Sequence, residues 1–315
     1  MSPAWKYAES VLGKVSRTFA LNIGVLGNLR KPVLLAYLYM RIADTIEDSP
    51  ELSVEQKTNL LKMFSDALNL GDKALLDFQN ALPQNWKEKT SDDYALCCNA
   101  HVIIPLLSEF PESIANSVKN AVAEMCGGMA EFAKLQGAKK DEWFCIEKES
   151  DLDKYCYYVA GLVGNMLTEL FGHKELRELA ISFGLALQLV NIIKDIDEDS
   201  QRHVCFVPME YCRKHGISSV QDFFSHKNKN IVIEELIKKA KKHLQDAKNY
   251  IKSLPRRKHR IRLFCLWPSL MAADNLRIIS EGGSKITRES VKRIIHRSTI
   301  CGWSNFWIER EFSKL

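Results

Sequence analysis

Apolar residues recur at helical spacing along almost the whole chain, and neither an alternating pair of strands nor an Asn-Gly hairpin interrupts them. This pattern predicts an all-α protein. The chain has only 15 glycines and 9 prolines in 315 residues and no linker or repeat, so we expect one continuous domain over residues 1–315. The predicted helices cover residues 1–12, 16–26, 32–48, 53–69, 72–81, 91–109, 112–136, 151–171, 185–199, 232–253, 256–280 and 289–297.

The predicted helix Leu185–Asp199 begins with apolar residues and ends in a cluster of carboxylates. Asn191, Asp195 and Asp199 recur every four residues, so they form one nearly axial row on the helix surface. Isolated carboxylates are costly on a face that packs into a core. Two interpretations are open: a helix end that meets solvent, or oxygen ligands for a divalent cation that carries a phosphorylated ligand.

A second acidic row with the same spacing ends the helix 32–48. Asp44 and Asp48 are four residues apart, and Tyr37 and Arg41 precede them on the same face. If the two rows face each other, their four carboxylates repel one another unless divalent cations bind among them. Two such rows favour the metal interpretation, with a diphosphate completing the coordination and Arg41 holding a phosphate oxygen.

Further candidate anion contacts flank these helices. Ser16, Arg17 and Thr18 place two hydroxyls and a positive charge at the start of the helix 16–26, where the helix dipole favours anions. The same residues are typical of an ordinary N-cap, and the sequence leaves both interpretations open. Arg202 follows the second acidic row in a predicted loop, from which it could cover an anionic ligand.

The helix 151–171 contains the unusual segment Ala160–Gly164, with the sequence AGLVG. Each glycine costs about 1 kcal/mol relative to alanine inside a helix, so both must answer a local need. One explanation is a long apolar ligand that lies against the helix. The other is close packing of a second helix. The sequence does not separate them.

Composition and charge narrow the protein class. A hydrophobic fraction of 46% and a charged fraction of 26% are ordinary for a soluble globular protein. The nine cysteines form no C-x-x-C pair, which predicts reduced thiols rather than disulfides or a zinc site. The N-terminus lacks an apolar signal core, and no run approaches the roughly 18 apolar residues of a membrane span. We therefore expect a cytoplasmic protein without a transmembrane helix.

The net charge of +5 is concentrated in one segment. Between Lys238 and Arg262 there are eleven Lys and Arg residues and a single acid, Asp246. Such a face can be simply solvated, or it can contact nucleic acid, anionic lipid or a phosphorylated substrate. Because no aromatic residues are interleaved in a way that would favour nucleic acid, we do not expect nucleic-acid binding.

Five segments along the chain resemble motifs of the squalene/phytoene synthase family. LYMRIADTIED (Leu38–Asp48) and LVNIIKDIDED (Leu189–Asp199) are similar to its two aspartate-rich motifs, and SRTFAL at Ser16 resembles its first motif. KYCYYVAGLVG (Lys154–Gly164) and LFCLWPSLMA (Leu263–Ala272) are most similar to the squalene synthases within it. The resemblance spans about residues 15 to 280.

The resemblance implies an isoprenoid (terpenoid) synthase fold, a single helical bundle around a deep apolar cavity. It also implies a Mg²⁺-dependent farnesyltransferase that condenses two molecules of farnesyl diphosphate to presqualene diphosphate. Squalene synthases then rearrange this intermediate and reduce it with NADPH. The implied chemistry suits the residues, because metal ions neutralise a diphosphate leaving group and an apolar site keeps water from a carbocation. An oily product also makes contact with a membrane surface plausible.

The resemblance assigns roles to individual positions. The expected ligands of Mg²⁺ and the diphosphates are Asp44, Asp48, Asn191, Asp195 and Asp199. The expected phosphate contacts are Ser16, Arg17, Thr18, Arg41, Lys194 and Arg202. Tyr155 matches a tyrosine that assists proton removal or diphosphate departure. The expected cavity lining is Phe19, Tyr37, Ala160, Val163, Gly164, Leu167 and Gln188.

The chain departs from the family pattern in three places. Lys194 stands where the family usually has arginine, so the charge is kept but bidentate phosphate binding is not. The region after Leu276 lacks the usual small residues and Tyr-Asn-Asn, which affects the NADPH step more than the condensation. The chain also ends at Leu315 without the C-terminal membrane helix usual in eukaryotic squalene synthases.

Other functions remain as alternatives at this point. A phytoene or dehydrosqualene synthase, or an enzyme that stops at presqualene diphosphate, would share the condensation but need no NADPH. A non-catalytic relative that acts as an assembly or binding factor would be free to lose its acidic rows. This chain keeps both rows as well as Tyr155.

Overall fold

The computed structural model describes residues 1–137, 143–283 and 285–314, and the side chain of Arg17 lies outside the described part. The chain divides into two compact units. The first comprises Met1–Ala138 and Glu169–Phe171, and the second comprises Lys139–Thr168 and Gly172–Leu315. One domain over residues 1–315 stays a prediction.

The first unit is helical in its described part, as the apolar pattern predicts. Its α-helices are α1 Pro3–Val15, α2 Arg17–Gly24, α3 Arg30–Asp48, α4 Val54–Asn69, α5 Asp72–Ala81, α6 Asp92–Cys98, α7 Ala100–Ile103 and α8 Glu112–Gly137. Short 3₁₀ turns occupy Gly27–Leu29, Gln84–Glu88 and Ile104–Glu109. Helix α3 forms the core: 12 of its 19 residues are buried, and it packs against α1, α4, α6 and α8.

Local capping signals place several helix starts correctly. Ser53 and Gln56 form the capping box expected from their spacing, and Ser16 caps α2 by accepting a hydrogen bond from the Phe19 amide. Helix α3 begins at Arg30 rather than at Pro32. A proline is tolerated there because the amides of a first helical turn have no partner inside the helix.

The predicted helix 91–109 is divided into α6, α7 and a 3₁₀ turn. The Asn99 side chain donates a hydrogen bond to the Ala95 carbonyl at 2.8 Å, and this local bond competes with continuation of the helix. Pro105 then lies at the start of the 3₁₀ turn, where its missing amide hydrogen is harmless. Apolar spacing alone did not reveal these breaks.

The second unit contains the remaining helices and one pair of short strands. The helices are α9 Glu149–Cys156, α10 Leu162–Leu170, α11 Arg177–Gln201, α12 Met209–Lys214, α13 Val220–Ser225, α14 Lys229–Ser253, α15 His259–Ser280, α16 Arg288–Cys301 and α17 Asn305–Phe312. A π-helical turn, Tyr157–Gly161, joins α9 to α10, and a 3₁₀ turn covers Lys174–Leu176. Helix α11 lies at the centre and packs most extensively against α14.

The structure also contains one pair of short strands, which the sequence pattern did not reveal. β1 (Phe144–Cys145) and β2 (Val204–Cys205) run parallel, with Phe144 opposite Val204 and Cys145 opposite Cys205. The Phe144 amide donates to the His203 carbonyl at 3.0 Å. A strand of two residues is too short to produce an alternating pattern that can be recognised in a sequence.

Close helix packing accounts for the glycines of the AGLVG segment. A Cβ atom added to Gly164 would lie 2.1 Å from the Ala180 carbonyl oxygen on α11. From the other side, a Cβ on Gly184 of α11 would lie 2.2 Å from the Ala160 carbonyl oxygen and 2.9 Å from Gly161 Cα. Backbone therefore meets backbone at this crossing. Of the two explanations open from the sequence, the structure shows helix packing.

The cysteines test the prediction of reduced thiols. All nine cysteines are free thiols, as predicted, and six of them are buried.

By length and composition, Lys174–Gln201 could cross a membrane, with a mean hydropathy of 1.6 over 18 residues. The sequence prediction was that no apolar run approaches the length of a membrane span, and it did not identify this helix. Half of that window is buried inside the structure, and a core helix passes the same test, so this is weak evidence for a membrane span.

The α10–α11 crossing makes a stability prediction. Gly184→Ala should lower the free energy of unfolding by about 1–3 kcal/mol, because the new methyl group overpacks against backbone that cannot rotate away. Gly127→Ala is the matched control: this exposed helical glycine has nothing within 4 Å of its Cβ position. There alanine should stabilise by up to about 1 kcal/mol. Equal denaturant midpoints for the two variants would contradict the packing explanation.

Candidate active site

The carboxyl end of α3 carries the first acidic row. Helix α3 is continuous from Arg30 to Asp48, so Arg41, Asp44 and Asp48 lie on successive turns of one face, as predicted. Arg41 does not point freely at a ligand. Its Nε and Nη2 donate to the two carboxylate oxygens of Asp93 on α6, at 2.9 and 3.0 Å. Such bidentate pairs are among the stronger ion pairs in proteins.

Asp93 is a site residue that the sequence did not identify. It lies in the first turn of α6, where an acid is ordinarily explained by the helix dipole. Nothing in the sequence relates it to Arg41, because 52 residues separate them. The pairing with Arg41 becomes visible only when α6 packs against α3.

The environment of Asp44 disfavours its ionised form. Burial raises the pKa of the Asp44 carboxyl to about 7, and the nearby charges of Asp48 and Asp93 add to the shift, while Arg41 opposes it. The acid therefore carries a charge near neutral pH only at a cost, which a nearby cation would remove.

A small pocket of about 180 Å³ opens beside this row. Ser49 forms part of it, and its hydroxyl oxygen is buried without a hydrogen-bond partner. An orphaned buried hydroxyl is unusual, since such groups nearly always find a partner or an ion. The lining residues are Arg41, Asp44, Thr45, Asp48, Ser49, Ser91, Asp93 and Tyr94.

These residues suit a magnesium ion that also binds a phosphorylated ligand. The pocket offers carboxylate and hydroxyl oxygens, which are the donors that hard cations prefer. Within residues 1–137, 143–283 and 285–314, no three His, Cys, Asp or Glu side chains are placed to hold an ion by themselves. Magnesium is usually held by one or two carboxylates together with phosphate oxygens and water, so a partial set of protein ligands fits it.

The first motif lies at the start of α2. Ser16 serves as the N-cap of α2 and also hydrogen-bonds to Tyr37, whose pKa is raised by burial and lowered in part by that bond. The rings of Phe19 and Tyr37 are 5.0 Å apart. Thr18 is exposed, and the predicted contact of the Arg17 side chain lies outside the described residues. The motif can therefore cap the helix and also contact an anion, because capping uses only the Ser16 hydroxyl.

The second acidic row lies on the last turns of α11. Lys194 Nζ lies 3.2 Å from Asn191 Oδ1 and 3.2 Å from an Asp195 carboxylate oxygen. The residue that replaces the family arginine thus bridges two members of the row. A point charge on a flexible stem can do this from within the helix, whereas an arginine fork is better suited to binding one carboxylate or phosphate.

Asp199 at the end of this row is buried, with 6% of its surface exposed. Burial raises its pKa, and the Arg202 guanidinium, 2.5 Å away, opposes the shift. Arg202 is mostly exposed on its outer side. The predicted phosphate contact therefore already faces the acidic row, one turn beyond the helix.

Tyr155 is buried just before the π-helical turn. Its ring stacks on Phe206 with 4.4 Å between centroids and 20° between planes. Phe206 follows β2 and was not foreseen from the sequence, because its partner lies 51 residues away in the chain. Four predicted lining residues, Ala160, Val163, Leu167 and Gln188, are partly exposed within the second unit, as residues beside a ligand must be. Gly164 is fixed by its contact with Ala180.

A second pocket of about 250 Å³ contains none of the predicted site residues. It lies among α15, α16 and α17, and its apolar lining includes Trp307. Arg297 and Lys314 both pair with Glu311, and Arg277 pairs with Asp274. Because its charges are largely satisfied internally, this pocket is a weaker candidate than the acidic one.

The repulsion within the first row can be measured. In Asp48→Asn, the pKa of the Asp44 carboxyl should fall from about 7 towards its ordinary value, although burial will keep it raised. Carboxyl ¹³C shifts followed against pH without metal would report it. Glu55→Gln, at an exposed site on α4, is the matched control and should leave the Asp44 pKa unchanged. An unaltered titration in Asp48→Asn would mean that the two carboxyls are not coupled.

The sign of the linked stability effect follows from the same shift. The Asp44 pKa is higher in the folded protein than the ordinary 3.8. Its contribution to the free energy of unfolding is therefore present at low pH and is lost as pH rises from about 4 to about 7. A bound cation favours the ionised form and should remove that loss.

Comparison with known proteins gives a consistent family. The model of the squalene/phytoene synthase family matches residues 12–297. The chain is 32% identical over 298 residues to the squalene synthase of Rattus norvegicus, covering 88% of this chain and 64% of that protein. It is 32% identical over 278 residues to the squalene synthase of Schizosaccharomyces pombe, covering 84% and 57%. The chain thus spans less than two thirds of the length of these relatives.

A solved structure agrees with the sequence match. The complex of TcSQS with the ligand E5700 superimposes with a TM-score of 0.76 and 26% identity, covering 94% of this chain and 86% of that one. The predicted all-α isoprenoid synthase fold is thereby confirmed. The family match includes both acidic rows, the aromatic segment at Tyr155 and most of the described helices. The chain belongs to the squalene/phytoene synthase family.

Proposed function

We propose that this protein is a Mg²⁺-dependent farnesyltransferase of the squalene synthase type. It would join two molecules of farnesyl diphosphate through presqualene diphosphate and reduce the rearranged product to squalene with NADPH. The observation that carries the proposal is the acidic row on α3, where the raised Asp44 pKa of about 7 and the buried Ser49 hydroxyl without a hydrogen-bond partner describe an environment that a bound cation would stabilise. The squalene synthases among its relatives support the choice of substrate.

The two acidic rows would hold the metal ions. Bound Mg²⁺ would supply charge neutralisation of the diphosphate leaving group. Asp44 and Asp48 offer oxygens beside the pocket on α3, and Asn191, Asp195 and Asp199 offer them along α11. The resemblance implies that each row binds Mg²⁺ and diphosphate oxygens.

The cations near the acids would move from carboxylate to phosphate partners. Arg41, Lys194 and Arg202 each pair with a carboxylate in the structure. Metal ions bound at the acidic row of α11 would compete with Lys194 and Arg202 for Asp195 and Asp199, so these two cations could contact phosphate oxygens instead. Arg41 can then use the same fork that it now applies to Asp93, since a phosphate accepts a bidentate guanidinium in a similar way.

Tyr155 and the apolar residues would govern the carbon chemistry. The stacking of Tyr155 on Phe206 limits the rotation of its ring, which suits a phenol that must reach one fixed proton or departing oxygen. Ala160, Val163, Leu167 and Gln188 would line the path of the hydrocarbon, and their apolar majority would keep water from a carbocation. The close α10–α11 crossing holds this wall in place.

The reductive step distinguishes a squalene synthase from dehydrosqualene and phytoene synthases. Purified protein incubated with farnesyl diphosphate and Mg²⁺ should form squalene only when NADPH is added, and presqualene diphosphate should accumulate without it. The same product with and without NADPH would indicate a dehydrosqualene type of enzyme instead. A preference for the C20 diphosphate would indicate phytoene synthesis.

The acidic rows should be indispensable to turnover. Asp44→Ala and Asp195→Ala should each lower kcat by at least about 100-fold, because each removes a charge that holds a catalytic metal ion. Asp77→Ala, at an exposed acid on α5, is the matched control and should keep full activity. Circular dichroism would verify that all three variants fold. Wild-type rates in both site variants, with cellular function intact, would favour a non-catalytic binding factor.

A further inference from the structure

Three large apolar side chains are exposed together at the turn between α16 and α17. Ile300, Trp303 and Phe306 expose 58%, 55% and 81% of their surface. They account for three of the ten large hydrophobic residues that are exposed in the described part of the chain, and they lie within seven residues of one another. Concentrated exposure of this kind usually marks a contact surface rather than chance.

A basic loop lies directly beside this turn. His259 Nε2 is 3.2 Å from the Thr299 carbonyl oxygen, and Asn305 Nδ2 donates to the Lys252 carbonyl at 3.4 Å. The segment Leu254–Arg260 comprises the loop after α14 and the first two residues of α15. Together with the turn Thr299–Phe306 it forms one surface within the second unit. We call these two segments together the apolar–basic surface.

A buried arginine holds the two segments together. Arg262 is fully buried, and its Nη1 donates to the carbonyls of Ile251 and Leu254 at 2.8 Å each. Its Nε donates to the Gly302 carbonyl at 3.2 Å and its Nη2 to Asn305 Oδ1 at 2.6 Å. These carbonyls end α14 and α16, and helix carboxyl ends favour a positive charge. The surface is thus presented on a fixed scaffold.

The charge on this surface is uniformly positive. Arg256, Arg257 and Arg260 are exposed, and no Asp or Glu occurs in residues 252–262 or 290–308. The rest of the basic segment predicted from the sequence behaves differently. Lys239 pairs with Glu149 and Asp153, and Lys248 and Lys252 pair with Glu309.

This pairing refines the expectation of a basic face over residues 238–262. Along α14, three of the lysines neutralise acids of neighbouring helices, so they contribute to folding rather than to a free positive surface. The exposed arginines without such pairs gather at the end of the segment. There they flank His259, which contacts the Thr299 carbonyl next to Ile300.

We propose that the apolar–basic surface docks onto an anionic lipid bilayer. Exposed tryptophan and phenylalanine on the same surface as three exposed arginines match a bilayer boundary, where aromatic rings lie at headgroup level and cations meet lipid phosphates. Nucleic acid would offer phosphates but no hydrocarbon for Ile300 and Phe306. The inference rests on this surface alone and holds whatever reaction the acidic rows perform.

Vesicle partitioning of the full chain tests the proposal. Phosphatidylcholine vesicles with and without 30% phosphatidylglycerol (about a third anionic lipid) would be sedimented with the protein. Wild type should favour the anionic vesicles, and added salt should weaken the preference. The triple variant Arg256→Gln, Arg257→Gln, Arg260→Gln should lower partitioning on anionic vesicles on the order of 100-fold, since each cation near such a surface contributes roughly fivefold.

Trp303→Ser with Phe306→Ser should reduce partitioning at least about tenfold on anionic vesicles, because both side chains would bury apolar area in the boundary. The charge control is Lys6→Gln, Lys62→Gln, Lys73→Gln, which changes net charge equally at exposed lysines of the first unit. The apolar control is Leu70→Ser with Leu76→Ser, two leucines exposed by 71% and 60%. Both controls should partition as wild type does.

A conservative variant keeps the test decisive if the serine variant does not fold. Brominated lipids should quench the tryptophan fluorescence of the wild type, and Trp303→Phe should lose most of that quenching while still binding vesicles. Equal partitioning of wild type on neutral and anionic vesicles would overturn the proposal, as would site and control variants that behave alike. Self-association that Trp303→Ser with Phe306→Ser abolishes, with no vesicle binding by the wild type, would show that a second copy covers the surface instead.

Discussion

The contact on which the second unit depends is the crossing of α11 with the π-helical turn and α10. Here a Cβ atom added at Gly164 or at Gly184 would lie only 2.1 or 2.2 Å from a carbonyl oxygen of the neighbouring segment. Because α11 is one continuous helix, fixing it at Gly184 also fixes the axial positions of Asn191, Asp195 and Asp199 two to four turns further on. The same helix thus carries apolar residues at one end and, at the other, the acidic row that we propose binds metal ions. A shift at the glycines would displace both.

Electrostatics follow one scheme in the two units. Each acid row is accompanied by a cation that already pairs with a carboxylate: Arg41 with Asp93, Lys194 with Asp195, and Arg202 with Asp199. In each row burial still raises the pKa of one acid, Asp44 or Asp199. The pairs therefore reduce the repulsion without abolishing it. The negative charge that remains would favour the binding of cations.

Much of the fold and of the site follows from local sequence signals. Helical periodicity, the Ser53–Gln56 capping box and the four-residue spacing of the aspartates act over a few residues, so they can be recognised without a structure. The partners that the sequence did not reveal, Asp93 and Phe206, lie about fifty residues from the side chains they contact. The strand pair was missed because it is two residues long. The cause of the AGLVG glycines needed the position of Ala180.

The buried thiols have a practical consequence. Burial raises the pKa of Cys97 and Cys126 in the first unit, and of Cys156 and Cys265 in the second, so these groups are almost entirely protonated near neutral pH. Alkylating reagents react with thiolates. These side chains form thiolates readily only when the surrounding structure opens. The rate at which these cysteines are alkylated therefore reports how often each unit opens. Mass spectrometry of pulse-alkylated peptides would time the opening of each unit at its native cysteines, without an engineered residue.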